Sequence, residues 1–239
     1  MIKAVIFDMY ETLITHYESP LYFGEQIAAD AGIAKEEFLR LWRAAESDRT
    51  VGKQTLEQLI EAILRKTNRY SKSLLEHIVE KRKASKQELF RLLHPEILPM
   101  LEKLKKRGLL IGLISNCFSE EVGPIRESEL FSYFDVPLLS YELGLQKPDE
   151  AIFLRCIEKL SVSAEECLYV GDGGSFELET AAKLGMKAVQ AVWYFKDSEN
   201  YPSKRKKEFA QVERPIEVLE YVDESGELDI FCNRQQETE

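Results

Sequence analysis

The chain has 239 residues, 44% of them hydrophobic and 31% charged, which suits one large globular domain or a core with a smaller inserted domain and excludes disordered, fibrous and membrane-embedded classes. Thirty-two Lys and Arg against forty-two Asp and Glu leave a net charge of -10, which works against attraction to nucleic acid or anionic lipid and favours a small-molecule partner. Cys117, Cys156, Cys167 and Cys232 lack metal-binding or disulfide-like spacing, and Asp8 and Glu11 interrupt the apolar start too early for a signal peptide, so a reducing cytoplasm is expected.

Residues 2–7 form a short β-branched run that stops at Asp8, the pattern of a strand buried on both faces in a parallel sheet. From about residue 20 to residue 91 the texture is helix-periodic, in FGEQIAADAG, EEFLRLWRAAESDR, TLEQLIEAILRK and SLLEHIVEKRK. From Pro95 helix and strand alternate. PMLEKLKKRG, stopped by Gly108, precedes the strand LLIGLIS, and VPLLS, PDEAIFLRCIEKL, ECLYVGD, FELETAAKLGM and KAVQAVW continue the alternation. Ser163 and Glu166 have capping-box spacing with room for a single helical turn. The alternation predicts an α/β fold with a doubly wound, Rossmann-like parallel sheet. The expected organisation is a core of residues 1–14 and 92–222, a helical insertion over 15–91, and a C-terminal tail over 223–239. KDSENYPSKRKKE is expected to be a polar loop, with SKRKK a solvated basic run.

Open parallel sheets bind ligands beyond the carboxyl ends of their strands. Four places there carry reactive or polar groups: Asp8, the pair Ser115 and Asn116, Lys147 in LGLQKPD, and Asp172 after CLYVG. Each alone has an ordinary structural explanation, such as a helix cap or a turn. Two or three carboxylates converging at a sheet edge would repel one another and an anionic substrate, and Lys147 alone does not balance them. A hard divalent cation with oxygen ligands is the natural remedy, and Mg²⁺ commonly joins a carboxylate to a phosphate.

The ordered set FDMYETL, ISN, KPDEAIF and VGDGGSFELETAAKLGM resembles the haloacid dehalogenase superfamily of hydrolases, over residues 1 to about 190, with the helical block matching that superfamily's cap. The resemblance implies that Asp8 is the nucleophile, forming a covalent aspartyl intermediate that water then hydrolyses. It implies that the hydroxyls of Thr12 and Ser115 hold the transferring group, that Asn116 fixes its loop, and that Lys147 supplies positive charge to nucleophile and substrate. It also implies an Mg²⁺ site at Asp8 and Asp172, with Glu177 where a second acid, more often Asp, is expected. The backbone carbonyl of Tyr10 would complete that site.

Tyr10 divides the reading. In the superfamily's phosphatases the residue two after the nucleophile is usually an aspartate that protonates the leaving oxygen and deprotonates the attacking water. A tyrosine there is a feature of its 2-haloacid dehalogenases, which displace halide from carbon without metal and carry serine where this chain has Asp172. Asp172 and Glu177 favour phosphoryl transfer, so the expected activity is an Mg²⁺-dependent phosphatase acting on a small phosphate monoester or acyl phosphate. The alternatives are a 2-haloacid dehalogenase and a catalytically weak binding or regulatory protein.

Among lesser candidates, Arg40, Arg43 and Arg49 are expected on a charged helix face, although a dehalogenase would use an arginine from this region to hold a carboxylate. Trp42 and Cys117 are read as packing residues. His16, just after the first motif, is a candidate substrate contact, whereas His77 and His94 are scattered. Gly173 and Gly174 are expected to let the chain turn tightly beside Asp172.

Overall fold

The computed structural model describes residues 1–20, 22–196 and 203–223. Strand β1 (Ala4–Phe7) leads into the helices α1 (Gly24–Ala31), α2 (Lys35–Ala44), α3 (Glu46–Thr50), α4 (Leu56–Lys66) and α5 (Lys72–Leu89). Then follow α6 (Ile97–Lys106), β2 (Leu110–Ser115), α7 (Ser119–Glu127), β3 (Val136–Leu139), α8 (Ser140–Leu143), α9 (Glu150–Leu160), β4 (Cys167–Gly171), α10 (Glu177–Lys183), β5 (Lys187–Ala191) and β6 (Ala210–Val212). Ala164–Glu166 forms the single 3-10 turn that the Ser163 and Glu166 spacing anticipates.

The six strands form one parallel sheet in the order β3-β2-β1-β4-β5-β6. From β1 the chain winds outward to β2 and β3, then returns to the other side of β1 as β4, so β1 borders the point where the winding direction reverses. The register sets Phe7 beside Leu113 and Val170, which brings the residues just after β1, β2 and β4 to one edge.

Alternation along β1 divides the core. Val5 and Phe7 face a cluster with Met100, Leu101 and Leu104 of α6, whereas Ala4 and Ile6 face Phe153, Cys156 and Leu160 of α9. Both faces of the central strands are covered, which is why they read as continuous apolar runs. Ile27, Phe38, Leu59, Ile60, Ile63 and Ile78 form a separate cluster within α1–α5. Burying each large apolar side chain contributes roughly 1.5–3 kcal/mol, enough for these helices to pack on one another.

Three features differ from expectation. The run over residues 36–49 breaks at Ala45 into α2 and α3, and the second piece turns Arg49 inward. Helix α7 was hidden because it contains Pro124 and buries Glu120 and Glu121, which disguises its apolar face. Strand β6 is only three residues long and adds at the sheet's edge, where little hydrophobic pattern is required. Residues 197–202 of the polar loop, and the tail beyond Asp223 with Cys232, lie outside the described residues.

Candidate active site

Asp8 leaves β1 with its backbone N–H donating to Val170 O at 2.9 Å, which fixes the carboxylate at the sheet edge. Lys147 Nζ donates to Asp8 Oδ1 at 2.5 Å and lies 2.8 Å from Glu177 Oε2. Lys147 is itself held by a reciprocal pair: its N–H donates to Asn116 Oδ1 at 2.8 Å, and Asn116 Nδ2 donates to its carbonyl at 3.0 Å. Burial alone would favour a neutral lysine, but Asp8 and Glu177 outweigh it and hold the ammonium charged.

Asp172 follows β4, and its carboxylate accepts from Gly174 N–H at 3.0 Å while Gln190 Nε2 donates to its backbone carbonyl at 2.8 Å. Two glycines make this loop possible. A Cβ on Gly171 would lie 2.6 Å from Glu177 Oε1, and Gly173 turns at φ +86°, giving its N–H to that same carboxylate oxygen at 3.0 Å. Ligand oxygens of Asp8, Asp172 and Glu177 lie within 4.8 Å of one another.

Three buried carboxylates and one lysine leave an unbalanced negative cluster. Burial raises Asp8 to about 7, with Lys147 opposing and Glu177 adding to the rise. Asp172 is driven well above the ordinary carboxylate range by burial, then by Glu177 and Asp8. Such a donor set fits a hard divalent cation.

Thr12 and Ser115 are fully buried beside this cluster. The Thr12 hydroxyl has no hydrogen-bond partner among the described residues, while its carbonyl accepts from Trp193 Nε1 at 2.8 Å. Among the described residues, Ser115 Oγ makes only a long contact, 3.5 Å, to Asn116 O. Both hydroxyls therefore retain capacity for a ligand.

A cavity of about 540 Å³ opens above the cluster and is lined by Asp8, Tyr10, Asn116, Lys147 and Asp172 from the sheet edge. The Tyr10 ring stacks on His16, centroids 4.7 Å apart, and its buried hydroxyl has no hydrogen-bond partner among the described residues. Burial, then the Glu121 charge, pushes the Tyr10 phenol well above its usual range.

Beside His16, the candidate substrate contact, the cavity is lined by Arg82, Lys86 and Glu121, which the sequence did not single out. Lys86 of α5 forms a 2.5 Å ion pair with Glu121 of α7 and donates to His16 Nε2 at 2.7 Å. His16 Nδ1 in turn reaches Glu11 Oε1 at 2.9 Å, so the ring is neutral with its proton on Nδ1. Burial and Lys86 lower His16 to about 4. Glu11 takes a left-handed backbone at φ +59° and its carboxylate also accepts from Thr15 Oγ1 at 2.5 Å. Arg49 and Arg82 share Glu120 at 2.7 and 3.3 Å. Arg49 is thus buried in an ion cluster, not on the charged face expected of it, because the break at Ala45 redirects it. Arg43 and Trp42 line the cavity, Arg40 is exposed, and burial pushes the Cys117 thiol up to about 12, as befits a packing residue.

The family model of haloacid dehalogenase-like hydrolases matches residues 2–185. The chain belongs to this family. The (S)-2-haloacid dehalogenase 4A of Burkholderia cepacia is 24% identical to this HAD-like hydrolase over 79% of its chain and 82% of the relative. A glyceraldehyde 3-phosphate phosphatase of Methanocaldococcus jannaschii is 27% identical over 84% of this chain and 90% of its own. Among solved structures, a HAD phosphatase from Thermococcus onnurineus superposes with a TM-score of 0.64 at 23% identity, covering 92% of this chain and 98% of the other. That likeness establishes the shared fold, and the relatives include both phosphatase and dehalogenase chemistry.

Proposed function

We propose that this HAD-like hydrolase is an Mg²⁺-dependent phosphatase of small phosphate esters or acyl phosphates. The observation that carries the reading is the convergence of the carboxylates of Asp8, Asp172 and Glu177, of which Asp8 and Glu177 pair with Lys147. A metal-free dehalogenase would keep such a cluster repelling itself beside its own nucleophile. Asp8, Asp172 and the Tyr10 carbonyl are the proposed ligands, with Glu177 behind them. Bound there, Mg²⁺ would offset the repulsion among the carboxylates and an incoming phosphate.

The Asp8 carboxylate attacks phosphorus, the bond from phosphorus to the leaving oxygen breaks, and that oxygen departs with the electron pair. Water then attacks the phosphorus of the aspartyl phosphate, releasing inorganic phosphate and restoring the carboxylate. Thr12 and Ser115 donate hydroxyls to the transferring phosphoryl oxygens, Lys147 neutralises charge on Asp8 and the phosphoryl group, and Asn116 positions Lys147. Tyr10 leaves the departing oxygen without the customary carboxylic acid, so good leaving groups are favoured. On this reading residues 15–91 form a cap over a core of residues 1–14 and 92–222.

Tyr10 and the Burkholderia cepacia relative favour 2-haloacid dehalogenase as the second reading. Phosphate release from p-nitrophenyl phosphate and acetyl phosphate, with Mg²⁺ or EDTA, separates the two. Turnover that needs Mg²⁺ and disappears in Asp8→Asn supports the phosphatase. Halide release from 2-chloropropionate in EDTA, without phosphate release, overturns it.

A further inference from the structure

Resting on that phosphatase reading, we propose that the substrate is an aryl phosphate, a phosphate ester whose leaving group is an aromatic ring. Two independent observations converge on it. The first is the wall of the cavity above Asp8, to which Tyr10, His16, Tyr17, Phe23, Trp42 and Phe118 contribute rings. The second is chemical: position 10 holds Tyr10, a phenol whose buried hydroxyl has no hydrogen-bond partner among the described residues, and no carboxylic acid stands there to protonate a leaving group.

The rings are not free to rearrange. The Arg49 guanidinium lies 4.1 Å from the Trp42 ring centroid and 4.0 Å from that of Phe118, so one buried cation pins a ring from the helical stretch and a ring that follows β2. Phe23 is held in the same way by Arg82 at 5.1 Å and Lys86 at 5.3 Å, and Tyr10 is stacked on His16. Cations thus hold Trp42, Phe118 and Phe23 in place. Aromatic rings favour another ring in offset-stacked or T-shaped contact. A flat aromatic group fits such a wall better than a flexible polar chain, and the cavity of about 540 Å³ is large enough for a substituted ring.

The chemistry agrees with the shape. When Asp8 takes the phosphoryl group, an aryl oxide leaves with the electron pair of the broken P–O bond and takes its proton from water, with no acid needed from position 10. An acyl phosphate satisfies the leaving-group requirement equally but has no ring for the wall, and an alkyl ester satisfies neither.

Recognition and reactivity can be measured apart on the wild-type protein with Mg²⁺. Acetyl phosphate turnover serves as the assay, and benzylphosphonate and butylphosphonate, neither of them hydrolysable, serve as competitors. Benzylphosphonate is expected to inhibit about tenfold more tightly than butylphosphonate. In parallel, benzyl phosphate should exceed butyl phosphate in kcat/KM, although both leave as alkoxides. In Phe23→Leu the inhibition ratio should narrow. Equal inhibition by the two phosphonates, or a preference for butyl, overturns the aryl proposal while leaving the phosphatase standing. Absence of phosphate release from acetyl phosphate and p-nitrophenyl phosphate alike would remove the phosphatase reading and this inference with it.

Discussion

At position 10 a tyrosine occupies the place from which a carboxylic acid would both protonate a leaving group and deprotonate water, and the second loss has its own kinetic consequence. On the proposed mechanism water attacks the aspartyl phosphate without a carboxylate base at position 10, so dephosphorylation is expected to limit turnover. With p-nitrophenyl phosphate, rapid-quench measurements should show a burst of p-nitrophenol close to one equivalent per enzyme, and linear release from the first turnover would count against this. Tyr10→Asp should raise kcat/KM for alkyl phosphates about 10- to 100-fold while moving p-nitrophenyl phosphate much less. His16 offers a pH test. Its neutral ring faces Glu11 and Lys86 directly, with Tyr10 and Phe23 packed on it and Glu121 close by. Its folded value of about 4 lies below the ordinary 6.5, so between these values the unfolded chain binds the extra proton. Its contribution is therefore complete above pH 6.5 and is lost as pH falls towards 4. In urea titrations at pH 7 and pH 4.5, His16→Gln should lose less stability on acidification than wild type, by roughly 1–3 kcal/mol.

Between elements, α3 and α5 are tied to α7 by a buried cluster of charges. Glu120 serves both Arg49 and Arg82, and Glu121 serves Lys86, all of them buried. Arg82 also donates to the Tyr22 carbonyl at 2.6 Å. Removing the shared anion strands two guanidinium groups, so Glu120→Ala should cost about 3–5 kcal/mol in a denaturant titration. Arg65→Ala, which breaks the exposed pair with Glu61 and the contact with the exposed Tyr70 ring, should stay within about 1 kcal/mol. Equal losses in the two variants would show that the buried cluster is not what fastens these helices to α7. The same cations pin Trp42, Phe118 and Phe23, so the cluster that joins the elements also shapes the cavity wall.

For the molecule as a whole, the negative cluster at the sheet edge is a store of repulsion that a cation can relieve. Mg²⁺ at about 100 times its Kd should add roughly 2.7 kcal/mol to the stability, seen as a rise of about 5–10 °C in Tm. Asp172→Asn should raise the Tm in EDTA, because a buried carboxylate is removed from beside two others, and should abolish the further rise with Mg²⁺. An unchanged melting curve for wild type on adding Mg²⁺ would argue against a metal at this place.

The sequence by itself determined the parallel α/β sheet and the positions from which a site could be built. Buried central strands must be apolar on both faces, so the polar residue that ends each run, Asp8, Ser115 or Asp172, stands out locally, and parallel winding brings those ends to one edge. The tertiary structure alone decided the rest. Lys86 and Arg82 lie in a charged helix whose pattern reads as solvent-facing, and Glu120 and Glu121 sit in a helix masked by Pro124. Their burial depends on partners 71 and 38 positions away, as in Arg49 to Glu120 and Arg82 to Glu120. Hydrophobic periodicity assigns charges to the surface one element at a time. It has no means of marking a charge that is buried because another element supplies its counter-ion.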